Sequence, residues 1–153
     1  MQLEPSSTKF DSANKAKIGK SLRDIEKVLS TAGKGAWPNN SVSALERALG
    51  EINRALEKGH EGDKAGFHCL GGFAILSRLF GLFFDQSSVI PLKSISLCTK
   101  TWKLACTRHA ANTRHVLKSN MLTPIVDILH ERLQGVIPAS KLITVSLSTK
   151  CVL

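Results

Sequence analysis

Two stretches, LGGFAILSRLF at residues 70–80 and KSNMLTPIVDIL at residues 118–129, decide the fold of this chain. Sliding the sequence on itself by 49 residues sets Gly71 on Asn120, Leu76 on Ile125, Leu79 on Ile128 and Phe80 on Leu129. In both stretches a residue tolerant of the left-handed backbone region stops one helix, and apolar residues then recur at helical spacing. A short helix precedes each stop and a longer one follows it. Recurrence of one such unit predicts a stack of helices, each packed on its neighbour.

Working back toward the N-terminus, Leu45, Ala48, Leu49, Ile52, Ala55 and Leu56 form one stripe at 100° per residue. Glu46, Arg47, Glu51, Arg54, Glu57 and Lys58 fall elsewhere on the same helix, which opens near Ser41–Ala44 and closes at Gly59. Ser21 and Asp24 have the spacing that satisfies free N–H groups at a helix start, so a leading helix is placed between Ser21 and Gly33. The cluster Trp37-Pro38-Asn39-Asn40 reads as the turn between the two helices. Residues 1–19 carry no lasting period and read as a disordered leader.

Working forward, a short helix is expected over Lys64–Leu70 and a longer one over Phe73–Phe84. The longer one is apolar on most sides and therefore a core helix rather than a bilayer span. Pro91 opens a helix running from Leu92 to Thr107, with Ile95, Cys98, Trp102, Ala105 and Cys106 on one face and Leu97 and Leu104 on another. Asn112–Ser119 is short again. Leu122, Ile125, Val126, Ile128, Leu129 and Leu133 make the next stripe. After Gly135 the chain turns β-branched and serine-rich. The resulting division is a leader at 1–19, a helical repeat domain at 20–134 with two repeats plus one leading helix, and an irregular or truncated tail at 135–153.

The glycine turn leading into a long amphipathic helix at residues 70–80 and 118–129 resembles the junction before the third helix of an armadillo repeat. That resemblance implies an all-α fold, an armadillo/HEAT-like α-solenoid fragment in which helices stack into a right-handed superhelix. The stretch from about Ser21 to Leu133 also resembles the helical region of the S-phase cyclin A-associated protein in the endoplasmic reticulum family and its plant relatives. This implies a cell-cycle, cyclin-associated regulator and admits an association with the endoplasmic reticulum. The zinc-finger and charged coiled-coil regions of that family have no counterpart in these residues, so its metal binding and membrane association pass to no position here.

Apolar residues make up 42% of the 153, too many for a disordered chain. The net charge of +9 favours an acidic partner. The N-terminal residues lack the apolar core of a secretory signal, and Cys69, Cys98, Cys106 and Cys151 show no paired spacing, so an intracellular protein with reduced thiols is expected, cytoplasmic or nuclear.

No Asp or Glu stands between Asp85 and Asp127, whereas Lys93, Lys100, Lys103, Arg108, Arg114 and Lys118 all fall there. Lys93, Lys100 and Lys103 span an arc of about 80° on one helix and form a candidate partner-binding face. Cys98, Cys106, His109 and His115 are zinc-competent types, but two helical turns separate the cysteines, and no metal or other cofactor is expected. Adjacent pairs such as His68 and Cys69 point apart on a helix and suggest no nucleophile. Gly71 and Gly72 lack the lysine of a phosphate loop. Trp102 belongs to the apolar stripe and reads as core.

These residues predict a non-enzymatic scaffold that binds a protein with an acidic surface. The alternative is an RNA- or DNA-binding module that uses the basic repeat 93–118. The stripe at Leu122, Ile125, Ile128 and Leu129 has only the tail to cover it, so self-association of the isolated chain is expected.

Overall fold

In the computed structural model of the chain, residues 12–31, 36–84 and 90–123 are described, together with 126, 127 and 130. They form six helices and no strand: α1 Lys15–Thr31, α2 Asn39–Glu57, α3 Glu61–Cys69, α4 Gly72–Phe84, α5 Leu92–Cys106 and α6 Ala110–Lys118. Among the described residues the fold is all-α. Ile125, Ile128, Leu129 and Leu133 of the last expected stripe, Gly33, and the tail 135–153 lie outside them.

Helix α1 begins at Lys15, inside the stretch read as a leader. Its first turn is exposed at Lys15, Ala16 and Lys17 and so carries no apolar signal, but the turn before it is fastened at long range. The buried carboxylate of Asp63 on α3 accepts from Ser12 Oγ at 2.7 Å, Asn14 Nδ2 at 2.7 Å and the Asn14 amide at 3.1 Å. Ser21 is not a cap; it is buried in mid-helix and donates to Glu51 of α2 at 3.1 Å. Helix α2 likewise starts early, at Asn39 behind Pro38. Trp37, read as part of a turn, is buried, and Val42 packs on the same core, the arrangement of a hydrophobic staple.

Helix α2 is the centre of the described fold, with α1 along one side and α5 along the other. Leu45, Leu49, Ile52 and Leu56 are buried, as their periodicity requires. Full burial of side chains this size contributes roughly 2 kcal/mol each before entropy is counted. The α2–α5 seam also holds a polar pair absent from the sequence reading: Thr101 Oγ1 donates to Asn53 Oδ1 at 2.6 Å, and Asn53 Nδ2 donates to the Leu97 carbonyl at 3.3 Å.

The separation of 49 residues recurs in the backbone. Gly59 and Arg108 have φ of 76° and 53°, and Gly71 and Asn120 have φ of 78° and 52°, so the four left-handed residues form two equivalent pairs among the described residues. Helices α3 and α6 begin and end at equivalent positions. The buried α5 residues Ser94, Cys98, Thr101, Trp102 and Ala105 match buried α2 residues Leu45, Leu49, Ile52, Asn53 and Leu56.

The two glycines at the α3–α4 turn have different causes. Gly71 holds the left-handed conformation that a Cβ disfavours. Gly72 opens α4 against the Phe67 ring, and a Cβ there would come within 2.4 Å of two of its carbons. In the second unit the equivalent pair is Val116 and Met121, so the bulk has moved from the short helix to the residue after the turn.

Candidate interaction surface

The six basic residues of the acid-free stretch separate into two groups. Lys93 pairs with Glu46 at 2.7 Å and Lys100 with Glu57 at 2.6 Å, both across the α2–α5 seam. The Lys93 ammonium, first by its hydrogen bond, together with the Ser94 hydroxyl, holds the Glu46 carboxyl below the usual carboxylate range despite an opposing effect of burial. The continuous arc of three lysines on α5 is therefore interrupted, because α2 supplies acids to two of them. Lys103, Arg108, Arg114 and Lys118 are exposed and make no ion pair among the described residues. Arg114 and Lys118, four apart on α6, share its solvent face opposite buried Asn112 and Val116.

The turn that carries Arg108 is held by its neighbours. The Thr107 amide and hydroxyl both donate to the Lys103 carbonyl, at 2.9 and 2.7 Å, and the His109 amide donates to Cys106 O at 3.2 Å. Lys64 of α3, 6% exposed, reaches across to donate from Nζ to the Thr107 carbonyl at the C-terminal end of α5. A cation there opposes the negative end of the helix dipole. His109 caps α6 by accepting from the Asn112 amide at 3.2 Å. Asn112 Nδ2 closes the junction by donating to the carbonyls of Lys64 at 3.0 Å and Ala105 at 2.9 Å.

Beneath this junction is an aromatic group. His68 and His115, in the last turns of α3 and α6, have ring centroids 4.2 Å apart, and both lie against Phe73. Burial first, then the neighbouring His115, keeps His68 below the usual histidine range, against the opposing hydrogen bond of Asn112. Trp102 is core, edge-on to Phe73 at 5.6 Å and to Phe80 at 5.7 Å.

The residues weighed for metal or nucleophilic chemistry do not converge. Cys98 is buried and Cys106 half-buried, with His109 turned to its cap and His115 to His68. Among the described residues no three His, Cys, Asp or Glu side chains are placed to hold one metal ion. Burial pushes the Cys98 thiol up to about 12 and the Cys106 thiol up to about 11, the latter against an opposing bond from Thr113, so neither is a thiolate near neutrality.

Asp63, Lys64, Asn53 and Asn112 were not legible from composition or periodicity as residues that join helices. Asp63 and Asn112 are equivalent in the 49-residue register, so extending the slide across the short helices is the signal that would have found them.

Human S phase cyclin A-associated protein in the endoplasmic reticulum is 33% identical to this chain over 141 residues. The match takes in 89% of this chain and supports the resemblance carried by residues 21–133. The chain spans about 10% of that protein's length. No family model matches the sequence, and no solved structure matches the fold. Among the described residues no single helix is long and apolar enough to cross a membrane. Glu61–Cys69 and Gly72–Leu82 are so only jointly, across a 65° bend.

Proposed function

We propose that this chain is a segment of an armadillo/HEAT-type α-solenoid that acts by binding a protein with an acidic surface, and not by catalysis. The solenoid reading is supported by the 49-residue recurrence of left-handed turns, short helices and buried positions. The observation that carries the binding reading is the set of cations Lys103, Arg108, Arg114 and Lys118, exposed and without an ion pair among the described residues, on a stretch with no acid between Asp85 and Asp127. The name of the human relative ties that protein to cyclin A and to the endoplasmic reticulum. We carry over an intracellular, cell-cycle-associated interaction role.

The RNA- or DNA-binding reading of 93–118 rests on the same charge. One feature favours a protein ligand instead. Trp37, Trp102, Phe67, Phe73 and Phe80 are all buried, so none of these five rings is open to base stacking.

Fluorescence anisotropy of a labelled decaglutamate peptide and of an oligothymidylate of equal charge, titrated with the whole chain at several salt concentrations, tests the reading. The expected result is stronger binding of the peptide, lost when Lys103, Arg108, Arg114 and Lys118 are all changed to Gln. Tighter oligonucleotide binding with a steep salt slope would establish the alternative.

A further inference from the structure

We infer that Arg108 is the principal contact for the acidic partner, held in a costly backbone conformation for that purpose; the inference rests on the interaction reading above. Of the four left-handed positions among the described residues, two are glycine and one is asparagine, the residues best suited to that region. Arg108, with φ 53°, is the exception. The equivalent turn in the first unit uses Gly59 with φ 76°, so the positive φ required at this place is met there without a side chain.

The surroundings of Arg108 fix its backbone while leaving its side chain free. Both flanking residues are tied into the frame, Thr107 to Lys103 and Lys64, His109 to Cys106 and Asn112. The guanidinium has no ion pair among the described residues, and the acid-free stretch around it contains no carboxylate to supply one. An exposed, always-charged group on a rigid, strained turn is pre-organised for a ligand outside the chain. A guanidinium also grips a carboxylate by two parallel hydrogen bonds, which lysines such as Lys103 and Lys118 cannot do. The partner that fits is a protein segment bearing closely spaced Asp or Glu side chains.

Strain and binding then oppose each other, which gives the test. In the whole chain, Arg108→Gly should raise Tm by about 3 °C through relief of the left-handed Cβ. The same change should weaken decaglutamate binding about fivefold, by loss of a charge-assisted pair. Arg108→Asn should follow in both respects with a smaller rise, and Arg108→Lys should lose part of the affinity with no rise. A fall in Tm for both Gly and Asn would mean that the arginine supports the turn, overturning the inference. Unchanged peptide affinity in Arg108→Gly, with loss in the fourfold Gln variant, would overturn it while leaving the surface intact. Absence of peptide binding by the unaltered chain would remove the interaction reading itself, and the inference with it. An Arg108-dependent preference for oligothymidylate would overturn it in favour of nucleic acid.

Discussion

The unit α2–α3–α4 and the unit that opens with α5–α6 use one backbone plan with different chemistry. At the turn into the short helix the first has glycine, with φ 76°, and the second arginine, with φ 53°. Near the start of that helix the first has buried Asp63, which reaches outward to Ser12 and Asn14, and the second has buried Asn112, which reaches inward to Lys64 and Ala105. The first unit carries Glu46, Glu51, Glu57, Glu61 and Asp63, whereas the second carries no acid up to Asp127. Equivalent positions can therefore keep a fold while changing what it presents: the buried pattern sets the geometry, and the exposed and junction residues set charge and connection.

The largest expected effect strikes the plan shared by both units. Leu49→Asp puts a carboxylate at a position of 0% exposure in α2, between α1 and α5, and should cost at least about 4 kcal/mol. Urea unfolding followed by far-UV circular dichroism should find the variant largely unfolded. Glu51→Ala, losing only the Ser21 hydroxyl bond, should stay within about 1 kcal/mol of the parent.

Next in size is exchange of the two junction groups. Asn112→Asp removes both side-chain donations to backbone carbonyls in a fully buried place and should cost about 3 kcal/mol. Asp63→Asn keeps a group of the same shape and should cost about half as much. Equal losses by denaturant unfolding would show that the two junctions are interchangeable and would end the contrast drawn between them.

A third test addresses the volume exchange between Phe67–Gly72 and Val116–Met121. Gly72→Ala should cost about 2 kcal/mol, since the new Cβ would displace the Phe67 ring. In a Phe67→Val background the same substitution should cost less, giving a coupling free energy of at least about 1 kcal/mol in a double-mutant cycle. Additivity would mean that the ring moves aside freely.

The smallest effect is on pH dependence. His68 is held below the usual histidine range, so the folded state favours its neutral form. Its contribution is fully present above the unfolded value near pH 6.5 and declines as pH falls below it. For Asp63, burial alone would raise the carboxyl, but the bonds from Asn14 and Ser12 more than offset it and the net shift is downward. Its contribution is present above about pH 4 and is lost under stronger acid. His68→Phe should flatten the slope of stability just below about pH 6.5 while leaving the loss below about pH 4, as read by urea midpoints. An unchanged upper slope would assign it to another group.

The buried stripes of α2 and the left-handed stops at Gly59, Gly71 and Asn120 were legible in the sequence because periodicity and turn chemistry are local properties. The start of α1 was not, since it depends on Asp63, about fifty residues away. The candidate surface was half legible. Counting charges along the chain found Lys103, Arg108, Arg114 and Lys118, but the same count included Lys93 and Lys100, whose partners belong to a neighbouring helix. Ion pairing across a seam is a tertiary fact that linear spacing does not encode. The left-handed backbone of Arg108 was hidden for the opposite reason: nothing about an arginine announces a glycine's conformation.

Lys64 has one more consequence. The residue is 6% exposed and its amine is engaged with the end of α5, so it is withheld from the aqueous chemistry open to the exposed lysines of α1 and α5. Acylating reagents and lysine-modifying enzymes can reach it only when α3 parts from the α5–α6 corner. Its modification would then remove the cation that opposes the α5 dipole. The seam between the two units thus has a built-in chemical asymmetry: its rim lysines are exposed, and the one at its centre is protected.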